Sequence, residues 1–471
     1  MWARAGRVLA LVSVLVVAIP AAAGDPEQHE ERACFAAPNR ACVFALALRA
    51  AGEAADAEKR ASALREIALA QVKVGQVEAA ASTLAAALAA AKQMNDVPAR
   101  ARVYRSIAEA QAKAEQGEAA LATAREIADS ARRAEALREI ALAQVRAGHV
   151  GAAASTFEAA LATAREIAEA KKRAQALGSI AEAQAEAGWV RAAASTLAAA
   201  LSTAQEIVGA EARASALAEV AGAQAKAGQV EAAQETFGAA LATAWLVGER
   251  RSRASALREI AEAQAKAGWV QAAAPTFAAA LSTAREIADA RFRALDLGHI
   301  AGAQAKAGQI GAALATAGEA AEARELARKR RASARPRPGW EEADAAVRAL
   351  EEFVETFVWE AMLREIARAQ AKAGRIEAAL STAREIADPA RRAETLRAIA
   401  AAQAEAGRIE AALATAREIA DAQTRGLALA DIVAAQADAG GIEGALATAR
   451  EIADPWSRAH ALARIAAALP E

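Results

Sequence analysis

Aromatic side chains make up only 3% of this 471-residue chain, which has two cysteines, four histidines and, at Asn39 and Asn95, its only asparagines. So few large rings exclude a single thick core, because aromatics carry the largest buried area per residue. The histidines (His29, His149, His299 and His460) are scattered, and no third ligand stands near Cys34 and Cys42 at metal-site spacing. Nothing places a histidine beside a nucleophile or a carboxylate pair. A phosphate-binding glycine loop, an HExxH helix and a nucleophile elbow are all missing. Neither an enzyme nor a bound cofactor is therefore expected. The formal net charge is −1, and it becomes −3 if Arg4 and Arg7 are lost with the N-terminus, so nothing favours nucleic acid electrostatically.

Alanine dominates a composition that is 55% hydrophobic. It favours helix strongly and lets helices approach closely, but each copy buries little area. Residues 1–23 have the pattern of a secretory signal: Arg4 and Arg7, an apolar run from Val8 to Ile19, then Ala21-Ala22-Ala23. The run is too short for a comfortable membrane span. No stable membrane anchor is expected after cleavage, and the periplasm of a bacterium, or alternatively the medium, is the expected location. In an oxidising compartment Cys34 and Cys42 most simply pair as a disulfide; a redox or metal pair is the alternative.

One stretch recurs along the chain, and LREIARAQAKAGRIEAALSTAREIADPARR at 363–392 is a clear copy. Leu363, Ile366, Ala367 and Gln370 form one helical stripe, and Ile376, Ala379, Leu380, Ala383, Ile386 and Ala387 form a second. Gly374 stops the first helix, and Asp388-Pro389 caps the next. The turn position recurs at Gly75, Gly148, Gly188, Gly228, Gly268, Gly308, Gly374, Gly407 and Gly440, with Glu115 in the same place. Spacings of 33 and 40 residues alternate with one of 66. Seven added residues make almost two turns, so the longer second helix keeps its apolar face. The expected fold is all-α: a right-handed α-solenoid of stacked helix-turn-helix units with periods of 33 and 40 residues.

The chain divides into 1–23 (signal), 24–60 (N-terminal cap with the cysteine pair and a half repeat), 61–327 (mostly 40-residue units), 328–340 and 341–471 (33-residue units and a C-terminal capping helix). The 66-residue interval reads as two periods, with Ala343 to Glu355 as a degenerate second helix. The segment 328–340 (RKRRASARPRPGW) is expected to be an exposed, mobile joint, because Pro336 and Pro338 interrupt helix and Arg330 cannot face a core.

Arginine recurs four residues after the capping position, as at Arg133, Arg173, Arg253 and Arg425, and an i,i+4 Asp–Arg pair or a bond to a neighbouring helix end would account for it. Gln71, Gln111, Gln184 and their counterparts lie on the apolar stripe, and a ladder of bonds to inter-repeat or turn carbonyls is expected. Identity varies just after the turn glycine: His149, Trp189, Trp269, Arg375 and Arg408 are partner-binding candidates there, because Trp and Arg are favoured interface anchors. Packing of each Trp on the neighbouring repeat is the equal alternative.

The unit resembles the tetratricopeptide repeat (TPR). Leu363, Ile366 and Ala367 align with that family's first-helix Trp, Leu and Gly, and Ala379 with its second-helix Ala. Gln370 stands where the family has Tyr, and Ala383 where it has Phe. The resemblance covers roughly 43–469 and implies peptide binding on a concave face lined by first helices. It implies Arg65, Arg138, Arg258, Arg364 and Arg397 as further partner-binding candidates. The expected function is an exported scaffold that binds a protein or peptide and not a small molecule; a structural component of the cell envelope without a ligand groove is the alternative.

Overall fold

The computed structural model describes residues 26–333 and 340–470. The signal reading of 1–23 lies outside the described residues. Every element among the described residues is an α-helix. After α1 (Pro26–Ala36) the chain alternates two kinds of helix, first helices and second helices. First helices are α3 (Ala57–Lys73), α5 (Val97–Lys113), α7 (Ser130–Arg146), α9 (Ala170–Glu186), α11 (Ala210–Lys226), α13 (Arg250–Lys266), α15 (Ala290–Lys306), α17 (Glu341–Lys372), α19 (Pro389–Glu405), α21 (Ala422–Asp438) and α23 (Pro455–Ala468). Second helices are α2 (Arg40–Glu53), α4 (Val77–Lys92), α6 (Gly117–Arg125), α8 (Val150–Arg165), α10 (Val190–Gln205), α12 (Val230–Trp245), α14 (Val270–Arg285), α16 (Ile310–Ser333), α18 (Ile376–Arg384), α20 (Ile409–Arg417) and α22 (Ile442–Arg450). This is a TPR-like helical repeat array, and the two unit lengths arise in the second helix: 16 residues in α4 and α8, but nine in α6 and α18.

The turn chemistry follows the sequence. At Gly75 φ is +79°, Gly75 N–H donates to Val72 O at 3.0 Å, and Gln76 N–H donates to Gln71 O at 2.9 Å. That pair of bonds satisfies the last helical carbonyls. Glu115 holds the same left-handed backbone at φ +59° without being glycine. Such a conformation costs an L residue about 1 kcal/mol or more. Glu115→Gly should therefore stabilise the protein by about 1 kcal/mol in urea unfolding, and Gly75→Glu should cost as much.

Of the two hydrogen-bond ladders, the arginines make the expected bond to a neighbouring helix end and not the Asp–Arg pair, and the glutamines depart from expectation. Seven of the repeated arginines reach the carbonyl that ends the preceding second helix, as in Arg173 to Ile167 O and Arg253 to Val247 O, both 2.8 Å. The capping aspartate is occupied elsewhere: Asp129 accepts from the Arg132 N–H at 2.8 Å. The carboxylate partner is instead the glutamate that ends the second helix of the same hairpin, with Arg133 to Glu166 at 2.6 Å. The buried glutamines do not bond inter-repeat carbonyls. Within its own hairpin, Gln71 Oε1 accepts from Thr83 Oγ1 at 2.9 Å, and Gln111 from Thr123 at 2.7 Å.

Two larger corrections concern the ends and the 66-residue interval. The ends are not caps. Helix α23 packs on both α2 and α3, so a lone first helix and a lone second helix complete one hairpin between them. Arg458 donates to Glu53 at 2.8 Å, and this repeats the Arg133–Glu166 bond at the matching position, because Glu53 precedes Ala54 as Glu166 precedes Ile167. Arg40 Nη2 also donates to Leu469 O at 2.6 Å, and one buried cluster runs from Cys34 through to Leu469. The array is a closed ring of eleven hairpins.

The interval is one unit, not two. Ala343 to Glu355 is no second helix but the front half of α17, which has 32 residues against 17 in α15. No glycine or capping pair interrupts 341–362, so nothing stops the helix. Residues 328–333 of the expected joint finish α16; 334–339 lie outside the described residues. Across that junction Arg331 meets both oxygens of the buried Glu355 at 2.6 Å.

Candidate functional site: the inner wall of the ring

First helices line the inside of the ring. Lys171 on α9 reaches Glu259 on α13 at 3.8 Å, passing over α11, and Lys59 on α3 reaches Gln423 on α21 at 2.8 Å, passing over α23. A side chain can span an intervening helix only on the concave side. The inward positions are those just after the first-helix Leu and one turn later.

Several of these positions carry salt-bridged charges. Arg105 pairs with Glu135 at 3.1 Å, Arg397 with Asp431 at 2.8 Å and Arg364 with Glu394 at 3.7 Å. On α9, α11, α15, α21 and α23 the arginine is replaced by Gly178, Ala218, Gly298, Ala430 and Ala463, and on α11 and α15 the next turn is glycine as well, Gly222 and Gly302. With those side chains gone the wall sinks into two open concavities. The first, about 620 Å³, lies over α11 and is lined by Lys171, Gln175, Glu182, Glu219, Lys226 and Glu259 among others. The second, about 440 Å³, lies over α15 and includes Arg251, Arg258, Asp296, His299, Lys306 and Arg364. Arg258 and Glu262 border both. Gly298 also permits close helix packing, since a Cβ there would meet Val358 Cγ1 at 3.2 Å.

Burial shapes the titration of this wall. The Glu219 carboxyl is pushed up by burial and partly restored by the Gln175 amide, which donates at 2.7 Å. Burial raises Asp296 against the pull of Arg251, and burial with Arg258 and Arg251 pushes His299 down. Acidic and basic groups thus alternate around partly dehydrated hollows. That arrangement suits backbone amides and side chains of both signs.

Of the residues singled out in the sequence, Arg65, Arg138, Arg258, Arg364 and Arg397 all reach this wall, and each already meets a carboxylate: Glu66, Glu139, Glu262, Glu365 and Asp431. Trp189 and Trp269 are half-buried in the stack, edge-on to Phe157 at 5.2 Å and tilted on Phe237 at 5.3 Å. Packing on the preceding repeat accounts for both. His149, Arg375 and Arg408 stand at the N-termini of α8, α18 and α20, away from the wall. Cys34 and Cys42 form a disulfide that joins α1 to α2. The glycines that open the wall were missed by attending to the repeated arginine. Their signal was the break in the consensus at 178, 218, 222, 298 and 302.

No family model matches the chain, and no curated protein matches it. Among solved structures it is similar to Ton1535 from Thermococcus onnurineus (19% identity, 79% of this chain and 99% of that one, TM-score 0.29). It is also similar to a chain of nearly identical TPR-like repeats from Podospora anserina (20%, 48% and 95%, TM-score 0.23) and to a circular tandem repeat protein (12%, 91% and 97%, TM-score 0.23).

Among the described residues no helix is long and apolar enough to cross a membrane, and no cluster of His, Cys, Asp and Glu could hold a metal.

Proposed function

We propose that this protein is an exported, non-catalytic scaffold that holds a protein or peptide segment against the inner wall, across the hollows over α11 and α15. The observation that carries the reading is the local loss of wall side chains at Gly178, Gly222, Gly298 and Gly302, which line the hollows where the neighbouring Arg258, Glu262 and Arg364 are long and charged. A purely structural ring would have no use for that variation. Export rests on the pattern of residues 1–23 and on the Cys34–Cys42 disulfide, which persists in an oxidising compartment such as the periplasm or the medium.

The double substitution Gly178→Arg/Gly222→Glu gives α9 and α11 the residue types that α13 carries at the matching positions, Arg258 and Glu262, on two residues that line the hollow. Gly222 has room, because a Cβ would meet nothing nearer than Ala263 O at 3.8 Å. Replacing a mid-helix glycine also gains up to about 1 kcal/mol. Peptides selected from a display library on the wild-type ring should bind this variant at least tenfold more weakly, while its melting temperature holds or rises. Trp189→Ala/Trp269→Ala should leave that binding intact. Undiminished binding by the filled variant would remove the wall as the site.

A further inference from the structure

Among the described residues, one carboxylate at the inward register stands without an arginine. The residue after the wall arginine is an acid in Arg65-Glu66, Arg138-Glu139, Arg258-Glu259 and Arg364-Glu365, and each of these pairs forms a salt bridge. Where the arginine is lost at Gly178, Gly298 and Ala463, the acid is lost too, and Ser179, His299 and Arg464 follow instead. Only α21 and α11 keep the acid without the arginine, at Asp431 and Glu219. Asp431 is served by Arg397 on the preceding first helix, at 2.8 Å. The residue that matches Arg397 for Glu219 is Gly178 on α9, and the one on its own helix is Ala218. Neither place that could give Glu219 an arginine holds one.

What surrounds Glu219 instead is a neutral donor and an open space. Gln175 donates to one carboxylate oxygen at 2.7 Å, while Oε2 is buried with no hydrogen-bond partner among the described residues. The cations of the hollow are engaged with other acids: Lys171 with Glu259 at 3.8 Å, Lys226 with Glu182 at 3.1 Å and Arg258 with Glu262 at 2.5 Å. Lys171 and Lys266 act on Glu219 only through space, and burial pushes its carboxyl up in spite of them. Gly178 and Glu219 both line the hollow over α11, so the space of the missing arginine opens beside this carboxylate. A partly dehydrated carboxylate short of a cation is stabilised by any charged donor that reaches it.

We propose that the hollow over α11 takes an arginine or lysine side chain of the bound segment, whose cation stands where the wall arginine is missing and pairs with Glu219. Arginine suits the site better than lysine, because a planar guanidinium can meet both carboxylate oxygens at once. The inference rests on the inner-wall reading above and adds what that wall selects.

The test pans a random peptide display library on the full chain and measures the selected peptides by fluorescence anisotropy. Peptides held by the wild type should share one arginine or lysine. Replacing it with citrulline or acetyl-lysine, which are neutral and of similar shape, should weaken binding at least tenfold. Glu219→Gln keeps the size and removes the charge, so it should bind the charged and neutral peptides alike, with its melting temperature held or raised. Gly178→Arg should set a resident arginine on Glu219, as Arg397 is set on Asp431, and a Cβ there meets Ala223 Cβ at an ordinary 3.5 Å. That variant should melt higher and bind the charged peptide at least tenfold more weakly. Selected peptides with no shared basic residue, or a preference for the charged peptide that survives in Glu219→Gln, would overturn the proposal while leaving the wall as the binding surface. Capture of no peptide, or undiminished binding by Gly178→Arg/Gly222→Glu, would remove the wall reading and this proposal together.

Discussion

Ending the chain at Asp454, and so removing α23, should lower the thermal midpoint by on the order of 10 °C or more and broaden the transition. In an open array the last helix touches one neighbour, and its loss costs one interface. Here α23 packs on α21 on one side and on α2 and α3 on the other. It buries Leu462, Ile465 and Leu469, with Ile465 fully inaccessible. Burying each such side chain contributes about 1.5–3 kcal/mol, so three together rival the whole net stability of an ordinary domain. The truncation also takes Arg458 from Glu53 and the Leu469 carbonyl from Arg40. The complementary experiment is a circular permutant with residue 470 joined to residue 26 by a flexible linker and new ends at the exposed Gly228–Gln229 turn. It should melt within about 5 °C of the parent, because a ring has no privileged first repeat. If truncation proved mild and permutation ruinous, the ends would be ordinary caps.

Arg391→Ala should cost about 3–5 kcal/mol in urea unfolding, far more than any single surface pair. Glu360 is 2% exposed on α17, and its carboxylate accepts from Arg391 at 2.6 Å and from the Asp388 N–H at 2.8 Å. Arg391 lies in addition over the Phe357 ring, 4.3 Å from its centre. Removing the arginine leaves a charge that water cannot reach, and the Asp388 amide is its sole remaining donor among those bonds. Glu360→Gln should be milder, since a neutral amide oxygen still accepts from that N–H. As the control, Arg285→Ala breaks a bidentate pair with Glu319 at 2.7 and 2.8 Å on the outside of the ring. With both partners well exposed, that pair is worth less than about 1 kcal/mol. Similar costs for the two arginine variants would mean that water enters around Glu360.

The unit itself was legible residue by residue. The stripe Leu363–Ile366–Ala367–Gln370, the glycine at 374 and the cap Asp388 are local signals, and Asp388 accepts from the Arg391 N–H at 2.8 Å as an N-cap does. The inner wall was half legible. Arg65, Arg138 and Arg258 were expected on the concave side from the resemblance to the tetratricopeptide repeat, but a repeated residue draws attention to what the fold needs everywhere. The hollows come from Gly178, Gly222 and Gly298, where the repeat is interrupted. The long α17 was misread for a related reason: a 66-residue spacing equals twice 33, and arithmetic alone cannot tell an extra hairpin from two lengthened helices.

By itself, then, the sequence determined the helices, their turns and the apolar stripe of each first helix, because capping, left-handed glycine and 3.6-residue periodicity act within a few residues along the chain. Tertiary structure alone decided that the array closes. Curvature is a small angle per repeat summed over the whole array, and no local pattern states that sum. Only when α23 meets α2 does Arg458 find Glu53, and the two half-repeats become one.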